Sequence, residues 1–270
     1  MIKSKFTIIT FYQFKKIDDI LNIKNELVHF CKFNKIKGTI ILAEEGINGT
    51  IAGLFESIKK FESHLLGLGF ANYNPKYSYS KFMPFFRLKV RNKKEIVTLR
   101  SKDVDPENIT GKKIKPKDWN NLISDKETIL IDVRNNFEVE MGTFKNSINP
   151  NTKSFTEFKS YLKNKLNKAK DKKIAMFCTG GIRCEKTSSF LKHHGFEDVN
   201  QLHGGIIDYT HQVNQDENLE NLFEGKNFVF DDRISERISE DIIRTCHQCG
   251  KPCDEPTNCK NVQCTLLFIQ

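Results

Sequence analysis

The first hundred residues alternate between apolar, β-branched stretches and stretches in which apolar residues recur every three to four positions. The first pattern predicts strands and the second predicts amphipathic helices. The predicted elements are a strand at Phe6–Phe14, a helix at Asp18–Asn34, strands at Lys37–Leu42 and Gly49–Gly53 joined by a turn, a helix at Phe55–Leu68, and a strand at Phe82–Val90 that Glu95–Leu99 continues or pairs with. This β-α-β-β-α-β order predicts a ferredoxin-like, acylphosphatase-like domain over residues 1–100.

A different pattern follows residues 101–120, which hold prolines and a glycine among charged residues and are predicted to be a linker. Between residues 121 and 215, short apolar runs alternate with helical segments. The predicted strands are Thr128–Val133, Lys173–Phe177 and Phe196–Leu202, and the clearest helix is Phe155–Ala169. This alternation predicts an α/β domain with a parallel sheet, in which sites lie beyond the carboxyl ends of the strands. Residues 216–270 then form a C-terminal extension.

The formal net charge of +9 is unevenly distributed along the chain. Residues 1–100 hold 18 Lys and Arg against 8 Asp and Glu, whereas residues 216–270 hold 6 against 11. A basic first domain indicates a polyanionic partner, most commonly a phosphate backbone. The alternative is a general abundance of lysine, asparagine and isoleucine with no binding role.

The chain shows no sign of export or membrane insertion. It has no apolar run of membrane-spanning length, and Met1–Phe6 lacks the features of a signal peptide. We therefore expect a cytoplasmic protein that interacts with no membrane. Its eight cysteines are then expected to be reduced thiols.

The strongest candidate for chemistry is the stretch Cys178-Thr179-Gly180-Gly181-Ile182-Arg183-Cys184, which lies between a buried strand and a helix. Loop N–H groups, the helix N-terminus and the Arg183 charge all favour a thiolate at Cys178. Four residues separate Cys178 from Arg183, one fewer than in the Cys-x5-Arg loop of cysteine-dependent phosphatases. The tighter loop favours a smaller guest, such as the extra sulfur of a persulfide. The alternative is a buried structural cysteine.

Three segments of this domain resemble rhodanese motifs. Leu130–Arg134 with the following Glu138 and Gly142 resembles the opening motif, Cys178–Arg183 the active loop, and Leu202–Ile206 the closing motif. The chain departs from the pattern at Thr143-Phe144, where many rhodaneses have His-Ile.

Nearly the whole chain resembles one rhodanese-containing family, the oxygen-dependent tRNA uridine hydroxylases that make 5-hydroxyuridine at the wobble position. The segments that carry the resemblance are Ala43–Thr50, Phe177–Lys186, Gly225–Asp231 and Cys246–Gly250. It implies tRNA as substrate, bound through the anticodon region, molecular oxygen as co-substrate and Cys178 as the reactive cysteine.

Several features of that chemistry stay open at the level of sequence. The sequence contains no flavin, P-loop or dinucleotide motif, so no organic cofactor is identified. Cys178 could supply electrons as a persulfide or thiolate, or add to C6 of uracil and activate C5. Cys184 could resolve a persulfide as a disulfide, or simply belong to the core. The oligomeric state is not indicated.

Further residues are weaker candidates for binding. Cys246, Cys249, Cys253 and Cys259 have the spacing of a structural zinc site, with His247 and Cys264 nearby, although free thiols are the alternative. Phe82–Arg87 could stack on RNA bases or fill the core. Glu44, Glu45 and Asn48 could contact tRNA or the loop of Cys178, or form a solvated turn. The candidates for phosphate contact are Lys59, Lys60, Lys89, Arg91, Lys93 and Lys94.

Two other functions compete with hydroxylation. A rhodanese-type sulfurtransferase would carry a persulfide on Cys178 and turn over thiosulfate and cyanide. A non-catalytic RNA-binding adaptor would bind tRNA in a salt-dependent manner without modifying it, and would have no need of Cys178 and Arg183.

Overall fold

The computed structural model describes residues 5–166, 169–246, 248–258 and 267–269. The chain divides into two compact units, Met1–Thr98 with Phe230–Asp232, and Leu99–Val229 with Arg233–Gln270. Within the described ranges, we find no helix with both the length and the apolar character needed to cross a bilayer.

The first unit is a five-stranded sheet packed against two helices. Its elements are β1 (Phe6–Phe14), α1 (Ile20–Phe33), β2 (Lys37–Ala43), β3 (Gly46–Gly53), α2 (Phe55–Gly67), β4 (Lys76–Ser80) and β5 (Leu88–Asn92). The strand order is β4-β1-β3-β2-β5, and β5 runs parallel to β2 while the other neighbours are antiparallel. The order β4-β1-β3-β2 with two helices on one face is the ferredoxin-like arrangement, which confirms the predicted fold class. Phe11 and Phe61 lie at its core, with ring centroids 5.5 Å apart.

The predicted fourth strand was wrong. The strand that completes the motif is β4, whose sequence Lys-Tyr-Ser-Tyr-Ser has no apolar run. It lies at the sheet edge and pairs with β1 alone among the described strands. Phe82–Val90 is not one strand, since Pro84 lacks a backbone N–H and only Leu88–Asn92 pairs with β2. Phe85 is buried against Ile8 and Ala52, whereas Phe82 and Phe86 are exposed in a loop and not on a strand. Glu95–Leu99 forms no strand.

The second unit begins with a four-stranded parallel sheet flanked by helices. Its elements are β6 (Lys112–Ile114), α3 (Pro116–Ser124), β7 (Thr128–Asp132), α4 (Asn136–Val139), β8 (Gly142–Phe144), α5 (Phe158–Tyr161), β9 (Lys173–Phe177), α6 (Ile182–His193), β10 (Val199–Leu202) and α7 (Gly205–Gln215). The order β6-β10-β9-β7 puts β9, the strand that leads to Cys178, in the interior of the sheet. Trp119, Phe177 and Tyr209 are fully buried in its core.

The C-terminal extension adds short antiparallel strands to this unit. They are β11 (Phe223–Phe228), β12 (Ser235–Arg237), β13 (Pro256–Asn258) and β14 (Leu267–Ile269). β11 pairs with β8 on one side and with β12 on the other, while β13 pairs with β14. The extension is therefore built onto the α/β domain through β8.

Two predictions for this unit need correction. Residues 101–120 are not a linker throughout, because they contain β6 and the start of α3, and two of their backbone N–H groups donate to serines of α6. Phe155–Ala169 is not a continuous α-helix. It has a 3-10 turn at Phe155–Glu157, then α5, then a π-helical turn at Leu162–Leu166, while residues 167 and 168 lie outside the described ranges.

Candidate active site

The reactive loop joins β9 to α6 at the carboxyl end of the parallel sheet. Cys178 is the first residue after β9 and is fully buried. Gly181 caps α6 with a left-handed φ of 98° and directs its backbone N–H to the Cys178 sulfur at 3.1 Å. A side chain at that position would be strained, which explains the glycine. The loop therefore surrounds the sulfur with N–H donors.

This environment determines the ionisation of Cys178. Burial raises the pKa of its thiol, but three effects outweigh burial: a hydrogen bond from the Cys184 thiol, the Arg183 charge, and backbone N–H bonds from both of these residues. Together they lower the pKa of Cys178 to about 6. Burial and the contact with Cys178 raise the pKa of Cys184 well above its ordinary value. At neutral pH the pair is a thiolate at Cys178 and a thiol at Cys184.

Arg183 is held by a buried carboxylate that the sequence analysis did not name as a site residue. Its Nη1 and Nη2 donate to the two carboxylate oxygens of Glu138 at 2.6 and 2.7 Å. The backbone N–H of Asn135 also donates to Glu138, at 3.1 Å. Burial raises the pKa of Glu138, but the guanidinium outweighs burial and the pKa lies below its ordinary range. The only sequence signal was the place of Glu138 in the opening motif.

The loop member Thr179 lies beside this ion pair. Its hydroxyl accepts from Nη2 of Arg183 at 3.4 Å and donates to Glu138 at 3.5 Å. Gly180 and Ile182 complete the predicted loop, and Ile182 begins α6. The structure thus brings together all seven residues of the predicted loop and adds Glu138.

A second buried ion pair supports the same end of the sheet. Nε and Nη2 of Arg134 donate to Asp132 at 2.9 and 2.6 Å, and both side chains are fully buried. Nη2 also donates to the carbonyl of Gly142 at 2.5 Å, and Nη1 to Asn227 at 3.4 Å. Because Asn227 lies on β11, this arginine connects the opening motif to the C-terminal extension.

The closing motif packs directly on the reactive loop. Ile206 and Ile207, in the first turn of α7, donate their backbone N–H groups to the carbonyls of Cys178 and Thr179 at 3.0 and 3.2 Å. A Cβ added to Gly205 would lie 2.5 Å from the Cys178 carbonyl oxygen. Only glycine permits this close approach, so the closing motif holds the loop by its backbone carbonyls.

The residues after the loop have structural partners. Glu185 is buried, accepts a hydrogen bond from Gln201 at 2.9 Å and forms an ion pair with Lys113 of β6 at 2.9 Å. Lys186 is also fully buried, so neither residue is part of an exposed surface. The contacts of Glu185 with Gln201 and Lys113 fix α6 against the sheet.

The hairpin tip of the first unit is smaller than predicted and has a structural role. The turn between β2 and β3 consists of Glu44 and Glu45. Glu45 accepts the backbone N–H of Ile96 at 2.7 Å, and Asn48 donates to the Ile96 carbonyl at 2.9 Å. These two side chains hold the segment that follows β5. Glu44 is exposed.

The structure separates the six basic candidates into two groups. Leu88 and Val90 of β5 pack against the core, so Lys89 and Arg91 point to the opposite face of the sheet, and the exposed Lys93 and Lys94 follow. Lys59 and Lys60 lie on α2 instead. Lys59 is paired with Glu62 at 2.8 Å and donates to Tyr77 at 3.0 Å, which reduces the charge it presents.

The cysteine cluster lies only partly in the described chain. Cys246 and Cys249 are close enough to hydrogen-bond, and backbone N–H groups of Cys249 and Gln248 lower the pKa of Cys246. This turn fits two ligands of a zinc site. Within the described ranges no three potential ligands come together, and Cys259, Cys264 and His247 lie outside them. Structural zinc therefore stays a prediction.

Three family models match consecutive parts of the chain. They are the UPF0176 acylphosphatase like domain over residues 6–96, the Rhodanese-like domain over residues 115–212 and the Rhodanase C-terminal domain over residues 224–270. A curated protein of Acaryochloris marina (strain MBIC 11017), named tRNA uridine(34) hydroxylase, is 45% identical over 252 residues, which cover 92% of this chain and 80% of that protein.

Solved structures match single domains. A rhodanese-related protein from Thermoplasma volcanium is 30% identical and covers 37% of this chain and 92% of its own, with a TM-score of 0.30. An acylphosphatase from Coxiella burnetii is 12% identical and covers 34% of this chain and 100% of its own, with a TM-score of 0.24.

Proposed function

The chain belongs to the tRNA uridine(34) hydroxylase family, and on that premise we propose that it converts uridine 34 of tRNA to 5-hydroxyuridine. The reaction is an oxidation that takes molecular oxygen as co-substrate, and Cys178 is the reacting group. The observation that carries the proposal is the 45% identity over 92% of the chain.

The ionised sulfur of Cys178 suits this reaction. A thiolate is a strong nucleophile, and with a pKa of about 6 Cys178 is ionised at neutral pH. Addition of the sulfur to C6 of uracil would move electron density to C5, the carbon that receives the hydroxyl. The N–H donors of the loop and the Arg183 charge would stabilise the negative charge that the sulfur carries before addition.

We place the contact with the anticodon region on β5 and the residues that follow it. Lys89 and Arg91 share one face of an edge strand, and Lys93 and Lys94 extend the same basic strip. A row of cations on an exposed edge complements a phosphate backbone. The charge balance of residues 1–100, with 18 basic against 8 acidic residues, supports this assignment.

The test is the nucleoside content of tRNA from cells that lack the gene, complemented with wild type, Cys178→Ala or Cys31→Ala. Cys31 is a matched control because it is a buried thiol of the first unit whose pKa burial raises to about 12. We expect 5-hydroxyuridine or its derivatives with wild type and Cys31→Ala and none with Cys178→Ala. A change in a thiolated nucleoside instead would overturn the proposal in favour of sulfur transfer.

A further inference from the structure

The reactive loop contains a second sulfur that the proposed function does not use. Cys184 lies in the first turn of α6, is fully buried, and directs both its thiol and its backbone N–H to the sulfur of Cys178. Of the other described cysteines, Cys31 is in the core of the first unit and the rest lie between Cys246 and Cys253 in the C-terminal extension. The loop thus holds two buried thiols whose side chains face each other.

We infer that Cys178 and Cys184 act together as the two-electron reductant of the hydroxylation and close into a disulfide once per turnover. This inference rests on the proposed function. It adds Cys184 as a second catalytic residue, since its sulfur reacts in turn with the outer oxygen and with Cys178.

The steps balance in atoms and electrons. The Cys178 thiolate bonds to C6 of uracil, and the electron pair of the C5–C6 double bond moves to C5. C5 bonds to molecular oxygen and, with one proton, gives a hydroperoxide. Bonding of Cys178 to carbon removes the negative charge that helps to raise the pKa of Cys184. The Cys184 sulfur then attacks the outer oxygen and its proton passes to the oxygen left on C5, which gives a hydroxyl on C5 and a sulfenic acid on Cys184. Loss of the C5 proton then expels Cys178 from C6 and releases 5-hydroxyuridine.

The two sulfurs complete the cycle. The Cys178 thiolate attacks the sulfur of Cys184, forms the disulfide and displaces hydroxide, which leaves as water. In total, uridine, oxygen and two thiols give 5-hydroxyuridine, water and one disulfide. Oxygen receives two electrons from the uracil carbon and two from the thiol pair. A small-molecule dithiol restores both thiols by exchange before the next turnover.

The geometry of the loop favours this closure. A disulfide needs its two sulfurs about 2.05 Å apart. The hydrogen bond between the two thiols indicates that the Cys178 and Cys184 side chains already face each other, so side-chain rotation brings the sulfurs closer. The Cys178 thiolate is the attacking group, and its pKa of about 6 lies near neutral pH, where thiol–disulfide exchange is fast. Both thiols are 0% exposed and belong to one loop, so Cys178 is the thiol best placed to attack the sulfenic acid on Cys184.

The first experiment is a single turnover of the full-length reduced protein with tRNA and oxygen and without added reductant. We expect about one 5-hydroxyuridine per chain and an equal amount of a peptide pair linked through Cys178 and Cys184, as read by mass spectrometry. Dithiothreitol should restore repeated turnover. Product formed while both cysteines remain alkylatable thiols would overturn the inference and leave the proposed function intact.

The second experiment compares Cys184→Ser with Cys31→Ala under repeated turnover. Serine retains an O–H donor toward Cys178 but cannot form the disulfide, so turnover should fall at least about tenfold while the pKa of Cys178 stays low. Wild-type turnover in Cys184→Ser would overturn the inference. If wild type itself makes no 5-hydroxyuridine with tRNA, oxygen and dithiol, the proposed function fails and the inference falls with it.

Discussion

Arg183 and Glu138 form a two-point ion pair beside the reactive cysteine, with nitrogen–oxygen distances of 2.6 and 2.7 Å. The arginine comes from the first turn of α6 and the glutamate from α4, so the pair joins two segments that are 45 positions apart. Both side chains are buried, and the pair keeps the positive charge of Arg183 next to the Cys178 thiolate.

Glu138→Gln should destabilise the protein strongly. The substitution leaves the buried Arg183 charge without its counterion, and removing one member of a buried pair typically costs about 3–5 kcal/mol. The free energy of unfolding in urea checks this. Asp125→Asn is the control, because it breaks the ion pair with Lys173 at positions that are 38% and 37% exposed. Equal effects of the two substitutions would show that the buried pair does not hold the loop.

The reactivity of Cys178 should follow a pKa of about 6, well below the ordinary value of 9.0. The thiolate is present above pH 6 and is lost as the pH falls through 6. Since the unfolded thiol ionises only near pH 9, folding stability should rise with pH between these values. The 240 nm absorbance of wild type minus Cys178→Ala, followed against pH, measures the titration.

Cys184 should contribute to that low pKa through its hydrogen bond. Cys184→Ala removes the donor, so the pKa of Cys178 should rise in the same absorbance titration. Cys184→Ser retains an O–H donor and should keep the pKa near that of wild type. If Cys178 titrates at the wild-type pKa in Cys184→Ala, the backbone N–H groups and the Arg183 charge are enough to lower the pKa without the Cys184 thiol.

Gly205→Ala should displace the reactive loop. Its Cβ would lie 2.5 Å from the Cys178 carbonyl oxygen and 2.7 Å from that of Thr179, and φ is +69°. We expect a lower melting temperature and loss of hydroxylation. Gly67→Ala, where the added carbon would meet nothing within 4 Å outside its chain neighbours and the backbone of its own helix, should leave both unchanged or raise stability by about 0.5–1 kcal/mol. Normal hydroxylation in Gly205→Ala would contradict a positioning role for α7.

Charge reversal on β5 should weaken tRNA binding. Arg91→Glu removes a cation that pairs with phosphate, so affinity should fall. The dependence of log Kd on log salt should become shallower by about 0.7–0.9 for each phosphate that the protein no longer neutralises. Lys60→Glu, which reverses a charge on α2, should have a smaller effect. The tRNA affinity of Arg91→Glu and Lys60→Glu, measured at several salt concentrations, checks this. Equal weakening in both variants would argue against a strip on β5.

Lys226 should hold the segment around Asp254 and Glu255 against β11. Its side chain is 8% exposed, and its ammonium binds Asp254 and Glu255 at 3.1 and 2.8 Å. Lys226→Met should therefore speed amide hydrogen exchange in residues 252–258. The exposed Lys251→Met is the matched control. Unchanged exchange in Lys226→Met would show that other contacts hold this segment.

Features encoded within a few consecutive residues were predictable from sequence. The loop from Cys178 to Cys184 carries its donors, its charge and its sulfurs in seven neighbouring positions, so composition and spacing indicated a thiolate. Glu138 was not predictable as the partner of Arg183, because nothing local indicates which of many carboxylates folds back onto a given arginine. Its burial and two-point geometry emerge only in the folded chain.

The missed strand has a related physical cause. Lys76–Ser80 pairs on one side with β1, and its buried positions are the polar Lys76 and Ser80, so its sequence lacks the apolar run of an interior strand. The prediction placed the strand at Phe82–Val90 because Phe82–Phe86 is more apolar, although Pro84 cannot donate a backbone hydrogen bond there. Apolar content correctly predicted that Phe85 is buried, but it did not predict which segment pairs with β1.

The placement of residues 101–114 matters for dividing the protein into fragments. The backbone N–H groups of Asp105 and Gly111 donate to Ser189 and Ser188 of α6 at 2.8 and 2.9 Å, and β6 pairs with β10. A fragment beginning at residue 121, where the apolar pattern resumes, would expose two buried hydroxyls and an unpaired sheet edge, a surface prone to aggregation. We expect a fragment of the second unit to be soluble if it begins near Leu99. The boundary at which to divide the chain therefore lies about twenty residues earlier than the apolar pattern alone indicates.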